Sequence, residues 1–444
     1  MTELRITVRN TSETGGTFLT PFYFGFHDGS FDLFNEGEAA SAGLESLAED
    51  GATATLGAER AAASPGSQGA VVFGAGGPIA TQEQASAIVS VNGALNTSVS
   101  YAAMILPSND AFVGSDEALV LFDGAGNFKG AQTVSLSGQD VYDAGTEVNT
   151  ELEAAFINQT GPNTGETEGG VVQKHPGFIG SEGGPDGTPI ILGGTNAAGA
   201  FIDPVAADFT RDGAQIVDIH INEYVERTGT SGRDFIVGDS RDDGIDGGAG
   251  RDYLVGKGGY DVISGGEGRD FISGGSGDDE LSGDGGNDKV LGGSGRDLID
   301  GGAGRDWLSG GSGDDGIHGG DGRDYVSGGR GSDGLSGGAG RDLLLGGRGE
   351  DVLNGGTGND KLIGGRDSDT FVFNADSGID WVWDFDVYDD AIALVGTALT
   401  NFEDVLDNAH DVGRSSVIKV DDGDAIYLRG VSVDDLSASN FDFA

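Results

Sequence analysis

The sequence has no cysteine, so it forms neither disulfides nor thiolate metal sites. Basic residues are scarce: 24 Lys and Arg stand against 74 Asp and Glu, a formal net charge of −50. That balance excludes nucleic acid as a natural partner and disfavours anionic membrane surfaces. No apolar run approaches eighteen residues, so no transmembrane segment is expected. Met1–Asn10 lacks the apolar centre of a cleaved signal peptide and reads as a strand, with Leu4, Ile6 and Val8 alternating. None of the histidines (His27, His175, His220, His318, His410) lies in a His-Glu-x-x-His motif.

Glycine and aspartate are abundant, and from residue 234 they follow a fixed period. Asp234, Asp243, Asp252, Asp261, Asp270, Asp279, Asp288, Asp297, Asp306, Asp315, Asp324, Asp333, Asp342, Asp351, Asp360 and Asp369 stand nine apart, each followed two residues later by an apolar residue, from Ile236 to Phe371. At 36% apolar content, sixteen such coincidences have odds of about one in ten million, so this is a structural repeat. The text between reads Gly-Gly-x-Gly-x-Asp, as in Gly265-Gly266-Glu267-Gly268-Arg269-Asp270.

The glycines make a turn that visits positive φ. The apolar residue sits on a short strand and points inward. Two blocks close one turn of a flattened parallel coil, so residues eighteen apart stack at ~4.8 Å. Stacked carboxylates ~5 Å apart repel by about 3 kcal/mol at an effective dielectric of ~20. One buried aliphatic per block, worth ~1.5–3 kcal/mol, does not offset the ordering of nine backbone residues as well. The metal-free coil is therefore expected to be unfolded. A hard cation resolves the conflict: calcium takes six to eight carboxylate and carbonyl oxygens, whereas magnesium demands a smaller octahedron. Metal binding then supplies folding free energy. The expected ligands are the aspartates from Asp243 to Asp360. A flexible glycine linker needs neither register, and collagen needs glycine at every third position.

These blocks resemble the repeats-in-toxin (RTX) family of haemolysin-type calcium-binding nonapeptide repeats, over about 229–373. Lys257 and Asp284 replace the second glycine, Gly238-Asp239-Ser240-Arg241 lacks it, and Asp367 replaces the glycine before Asp369, so the weakest sites are expected at the ends. Arg251, Arg269, Arg296, Arg305, Arg323 and Arg341 precede ladder aspartates, either softening the acidic edges or serving as solvated surface charge. The resemblance implies secretion through a type I export machinery with an uncleaved C-terminal signal, here the ending Leu436–Ala444, and hence an extracellular address where calcium is plentiful.

After residue 373 the period is lost. Thr370–Phe373 and Ile379–Phe385 read as β-rich, 401–410 has helical spacing, and Asp421–Asp424 reads as a hairpin turn. Residues 374–444 are expected to cap the coil, which itself spans 227–373 with roughly eight rungs.

Residues 1–226 differ in texture. Strands are expected at 3–9, 69–74, 85–92, 99–106, 117–122 and 215–222, helix near 39–50 with alanine-rich sequence to 63, and long loops over 150–213, which suggests a β-sandwich. Thr17–Pro21, Gly25–Asp28, Ala40–Gly51, Met104–Gly114 and Tyr142–Glu147 resemble the spondin domain known from F-spondin and mindin. That resemblance implies a C2-like β-sandwich holding one calcium ion through Asp110, Asp143 and Glu147. Asn109 and Ala111 depart from the animal pattern, and Glu147 stands where animal members have Asp.

The whole is read as an all-β secreted calcium-binding protein without catalysis. Its head would bind an extracellular matrix, glycan or surface protein ligand. A hydrolase with a site in the loops of 150–213, or a structural surface component, are the alternatives. Gly334-Leu-Ser-Gly-Gly338 matches Gly-x-Ser-x-Gly but lies inside the repeats, not at the strand-to-helix turn that a nucleophile elbow requires.

Overall fold

The computed structural model describes residues 1–12, 17–74, 77–106, 111–144, 172–174, 194–195, 201–202, 214–421 and 423–443. Only 9% of the described residues are helical, in line with an all-β fold. It divides into two compact units, Met1–Tyr224 and Val225–Ala444.

In the first unit, Thr2–Asn10 pairs antiparallel with Gln84–Val91 on one side and with Gln215–Thr230 on the other, and Gln132–Ser137 extends that sheet. The facing sheet runs Val141–Asp143, Ala111–Gly114, Ser98–Leu106, Phe22–His27, Gln68–Val72. Leu4, Ile6, Val8, Phe22, Phe24, Phe26, Val99, Ile105, Ile219 and Ile221 fill the space between, forming a two-sheet sandwich. Two helices, Ala42–Asp50 and Ala54–Ala63, bring Leu44, Leu47 and Leu56 into a second cluster with Tyr23, Phe112 and Tyr142. The Ser41 hydroxyl accepts the Leu44 N–H at the first helix start, and Gly51 ends that helix at φ +67°.

Phe22–His27 escapes alternation-based reading because all six residues are buried. A strand covered on both faces has no polar side to alternate with. The expected segment 117–122 contracts to Leu119–Val120.

The second unit is a parallel β-roll. Tyr253 pairs with Phe271, Phe271 with Lys289, Lys289 with Trp307, and so on at eighteen-residue steps to Lys361. The opposite sheet repeats this from Gly244–Val262 to Val352–Thr370. Ile245, Leu254, Ile263, Ile272 and their successors to Phe371 form one continuous core.

The roll has about ten turns over 224–395, more than the sequence period suggested. Val382 stacks on Leu362 and Ile392 on Phe371. These last turns contain two or three extra residues, which ends the period without ending the coil. Ala425–Leu428 and Phe441–Phe443 add the closing strands, and Ser415–Lys419 pairs antiparallel with Ala425–Leu428 in the expected hairpin. The expected helix is Phe402–Asn408.

Candidate metal centre

Each ladder aspartate follows its glycine turn and stands two residues ahead of a buried apolar side chain. From Asp252 to Asp369 these aspartates are at most 3% exposed. Oδ1 accepts the backbone N–H of the aspartate one turn earlier, at 2.7 to 3.0 Å from the Asp234 N–H to the Asp351 N–H. At every ninth residue from Asp270 to Asp360, Oδ2 is buried without a hydrogen-bond partner. A buried, unpartnered carboxylate oxygen is costly. Repeated along both edges of the roll, it marks a missing positive charge.

The surroundings supply further oxygen. Beside Gly265, the point a Cβ would occupy lies 3.0 Å from Asp270 Oδ2 and 3.0 Å from the Gly283 carbonyl. Beside Gly283, it lies 3.0 Å from Asp288 Oδ2 and 2.6 Å from the Gly301 carbonyl. Carboxylate and carbonyl thus converge on a space kept open by the absent side chain. Among the described residues, no three carboxylate or imidazole side chains meet at one point. An ion held here by a ladder aspartate would need backbone carbonyls for much of its shell, a donor set that suits calcium.

Burial drives the acidities. It pushes Asp279 up to about 9, Asp315 to about 8, and Asp288, Asp324 and Asp351 to about 7, from an ordinary 3.8. At Asp315 the neighbouring Asp297 and Asp333 carboxylates add to the effect, while the hydrogen bond from the Asp297 N–H opposes it.

Asp243 differs. Its Oδ1 accepts from Arg227 Nε at 2.8 Å and its Oδ2 from the Asp239 N–H at 2.8 Å. Asp243 is among the expected ligands, but an arginine supplies the positive charge here and both Asp243 carboxylate oxygens are engaged within the chain. Asp234 Oδ2 accepts the Thr230 N–H and hydroxyl. Lys257, Asp284 and Asp367, which replace glycines, are held at φ +85°, +62° and +77°, so the turn geometry persists despite the side chains. Of the arginines preceding ladder aspartates, Arg296 pairs with Asp278 at 3.1 Å, off the ladder.

Sequence reading missed two members of the ladder. Asp380 and Asp390, 1% and 6% exposed, accept the N–H groups of Asp360 and Asp369 through Oδ1. Their spacing is 20 and 21 instead of 18. The surviving signal is an apolar residue two places on, Val382 and Ile392.

In the head, Asp110 and Glu147 lie outside the described residues. Asp143 ends the strand Val141–Asp143, with its backbone opposite Ala111 and Gln173. His27 and Asp28 do not pair. His27 Nε2 lies 3.0 Å from Ser100 Oγ and Nδ1 accepts the Gly29 N–H, whereas Asp28 Oδ1 binds Ser30 and Ser64. Ser336 lies within the strand Gly334–Gly340 of the roll.

Fold and donor set define a calcium-type parallel β-roll in a chain that also carries a β-sandwich head. The family comparison agrees: residues 18–164 match Spondin_N, and residues 228–263, 264–299, 300–335 and 336–371 match four copies of the RTX calcium-binding nonapeptide repeat. Each family model matches one stretch of the chain, and the two stretches are those where the sequence resembles the spondin domain and the RTX repeats. No curated protein matches it. Among solved structures, the extracellular lipase LipA from Serratia marcescens is similar at 20% identity and a TM-score of 0.23, over 50% of this chain and 42% of the lipase. The chain spans less than half of that lipase, and so weak a likeness says nothing of activity.

Proposed function

We propose that this is an extracellular binding protein whose RTX roll folds on calcium and whose spondin head attaches to a matrix, glycan or surface protein ligand. The observation that carries it is the row of buried Oδ2 atoms without partners between Asp270 and Asp360. Such a roll passes an export channel unfolded where calcium is scarce and acquires structure outside, where ions fill the ladder. The same reading makes the chain non-catalytic. His27 is engaged by Ser100 and the Gly29 N–H, and Ser336 sits mid-strand in the roll.

Chelating calcium from the full chain is expected to abolish the share of the far-ultraviolet circular dichroism due to the roll, and readdition to restore it. An unchanged spectrum overturns the proposal. Binding of the calcium-loaded chain to matrix proteins and a glycan array tests the head, and a broad hydrolase screen tests the absence of catalysis.

A further inference from the structure

Along the ladder, the Oδ2 of one aspartate meets the carbonyl of a glycine one turn on, as Asp270 meets Gly283 beside Gly265 and Asp243 meets Gly256 beside Gly238. By the same spacing, the Gly238 carbonyl would meet residue 225, which is Val225 and carries no carboxylate. The Lys257 ammonium donates to that carbonyl instead, at 2.8 Å. Lys257 stands where other blocks have their second glycine, and its φ of +85° is one that side chains seldom adopt. Backbone strain at a lysine whose ammonium reaches a ladder carbonyl ties the strain to that contact.

The neighbouring carboxylates are satisfied by the chain as well. Arg227, which gives Nε to Asp243 Oδ1, also places Nη2 3.2 Å from Asp239 Oδ2, and Arg241 places Nη2 2.6 Å from the same atom. On the opposite edge, Thr230 satisfies Asp234 Oδ2. The first ladder aspartate with a buried Oδ2 lacking a hydrogen-bond partner is therefore Asp252. Backbone and rings join the same turns. Phe235–Val237 runs parallel to Tyr253–Val255. The Tyr253 N–H donates to the Asp234 carbonyl and the Gly258 N–H to the Asp239 carbonyl, each at 3.0 Å. Phe235 and Tyr253 stack with centroids 5.0 Å apart and planes at 7°.

We propose that residues 227–258, the opening turns of the roll, fold without calcium, held by Arg227 and Lys257 where later turns use ions, and that they template the calcium-dependent turns beyond Asp252. The proposal rests on the reading of the ladder as a calcium site. A cation tethered to the chain does not depart when calcium is scarce. A repeat array is costly to start and cheaper to extend, because each new turn pairs with one already formed. The opening turns thus carry the cost of the first loop closure and lower the calcium concentration at which the rest assembles. The spectral loss on chelation then comes from the turns that follow.

Amide hydrogen exchange of the full chain in chelator compares equivalent positions. The N–H groups of Tyr253, Lys289, Trp307 and Tyr325 each donate to the carbonyl of an aspartate on the previous turn, namely Asp234, Asp270, Asp288 and Asp306. Near neutral pH, Tyr253 and Gly258 are expected to exchange roughly tenfold or more slowly than Lys289, Trp307 and Tyr325, and excess calcium protects all five. Arg227→Met with Lys257→Met keeps both stems and removes both charges. In chelator this variant loses the difference, and its calcium midpoint by circular dichroism rises about threefold or more. Arg330→Met, a charge lost on a later turn, changes neither. The wild-type comparison decides the proposal even should the double variant misfold. Equal exchange at all five positions in chelator, with protection restored by calcium, overturns the template and leaves the calcium reading standing. Protection of Lys289, Trp307 and Tyr325 in chelator overturns the calcium reading and the template with it. An unchanged calcium midpoint in the double variant overturns the template as well.

Discussion

Asp315 does two jobs with two oxygens. Oδ1 accepts the Asp297 N–H at 2.9 Å, and Oδ2 is buried facing no donor. Asp315→Asn keeps the acceptor and removes the charge, so its effect should change sign with the ion. Without calcium the variant is more stable, because a buried charge is gone. With calcium it is less stable: charge-assisted contacts are worth about 1.5–3 kcal/mol, so the midpoint of a calcium titration followed by circular dichroism rises about tenfold or more. Glycine sets the opposite constraint. Gly304 sits at φ +151°, where a Cβ would overlap the Gly286 carbonyl oxygen. Gly304→Ala is expected to cost at least about 1–3 kcal/mol in urea denaturation of the calcium-loaded chain. At this scale most of the ladder was legible, because one aspartate and one apolar residue recur at a fixed distance. Asp380 and Asp390 were not, because insertions break the count while the hydrogen bonds survive.

At the scale of elements, each roll strand commits one aliphatic side chain to the core. Leu308, fully buried, stacks between Val290 and Val326. Leu308→Ala removes the only apolar anchor of its strand, and about 2–5 kcal/mol of stability should go with it in the calcium-loaded state. Loss of less than about 1 kcal/mol would mean that ions, and not packing, hold each rung. Strand legibility followed the same physics. A strand with one buried residue between glycines announces itself by period. Phe22–His27, covered by the sandwich core on one face and the Tyr23–Leu44–Leu47–Leu56 cluster on the other, carries no alternation to read. Ile379–Phe385 reads as β-rich within the cap, yet Ile379–Val382, and Ala391–Val395 after it, continue the roll in parallel register.

Over the whole molecule, calcium and protons compete for the same carboxylates, and this fixes the sign of the pH response. In the folded roll, burial lifts ladder aspartates from 3.8 to between about 6 and about 9. The folded state therefore binds protons more tightly than the unfolded chain. Without calcium, that contribution to stability is fully present below about pH 4 and disappears as pH rises through about 6 to 9. The metal-free chain should gain β-structure on acidification, contrary to the usual acid unfolding of proteins. With calcium bound the dependence reverses: ions require ionised carboxylates, so the roll is most stable near neutral pH and loses ions as protons displace them. Thermal melts at about pH 5 and about pH 8, with excess calcium and with chelator, check the crossover. Parallel responses in the two conditions would mean that the ladder carboxylates do not hold the ions. The acidic excess of the chain adds to the contrast, since self-repulsion at a formal charge of −50 also weakens as carboxylates take up protons or calcium. A crossing pair of curves assigns both effects to the same set of side chains, which neither chelation nor acidification shows alone.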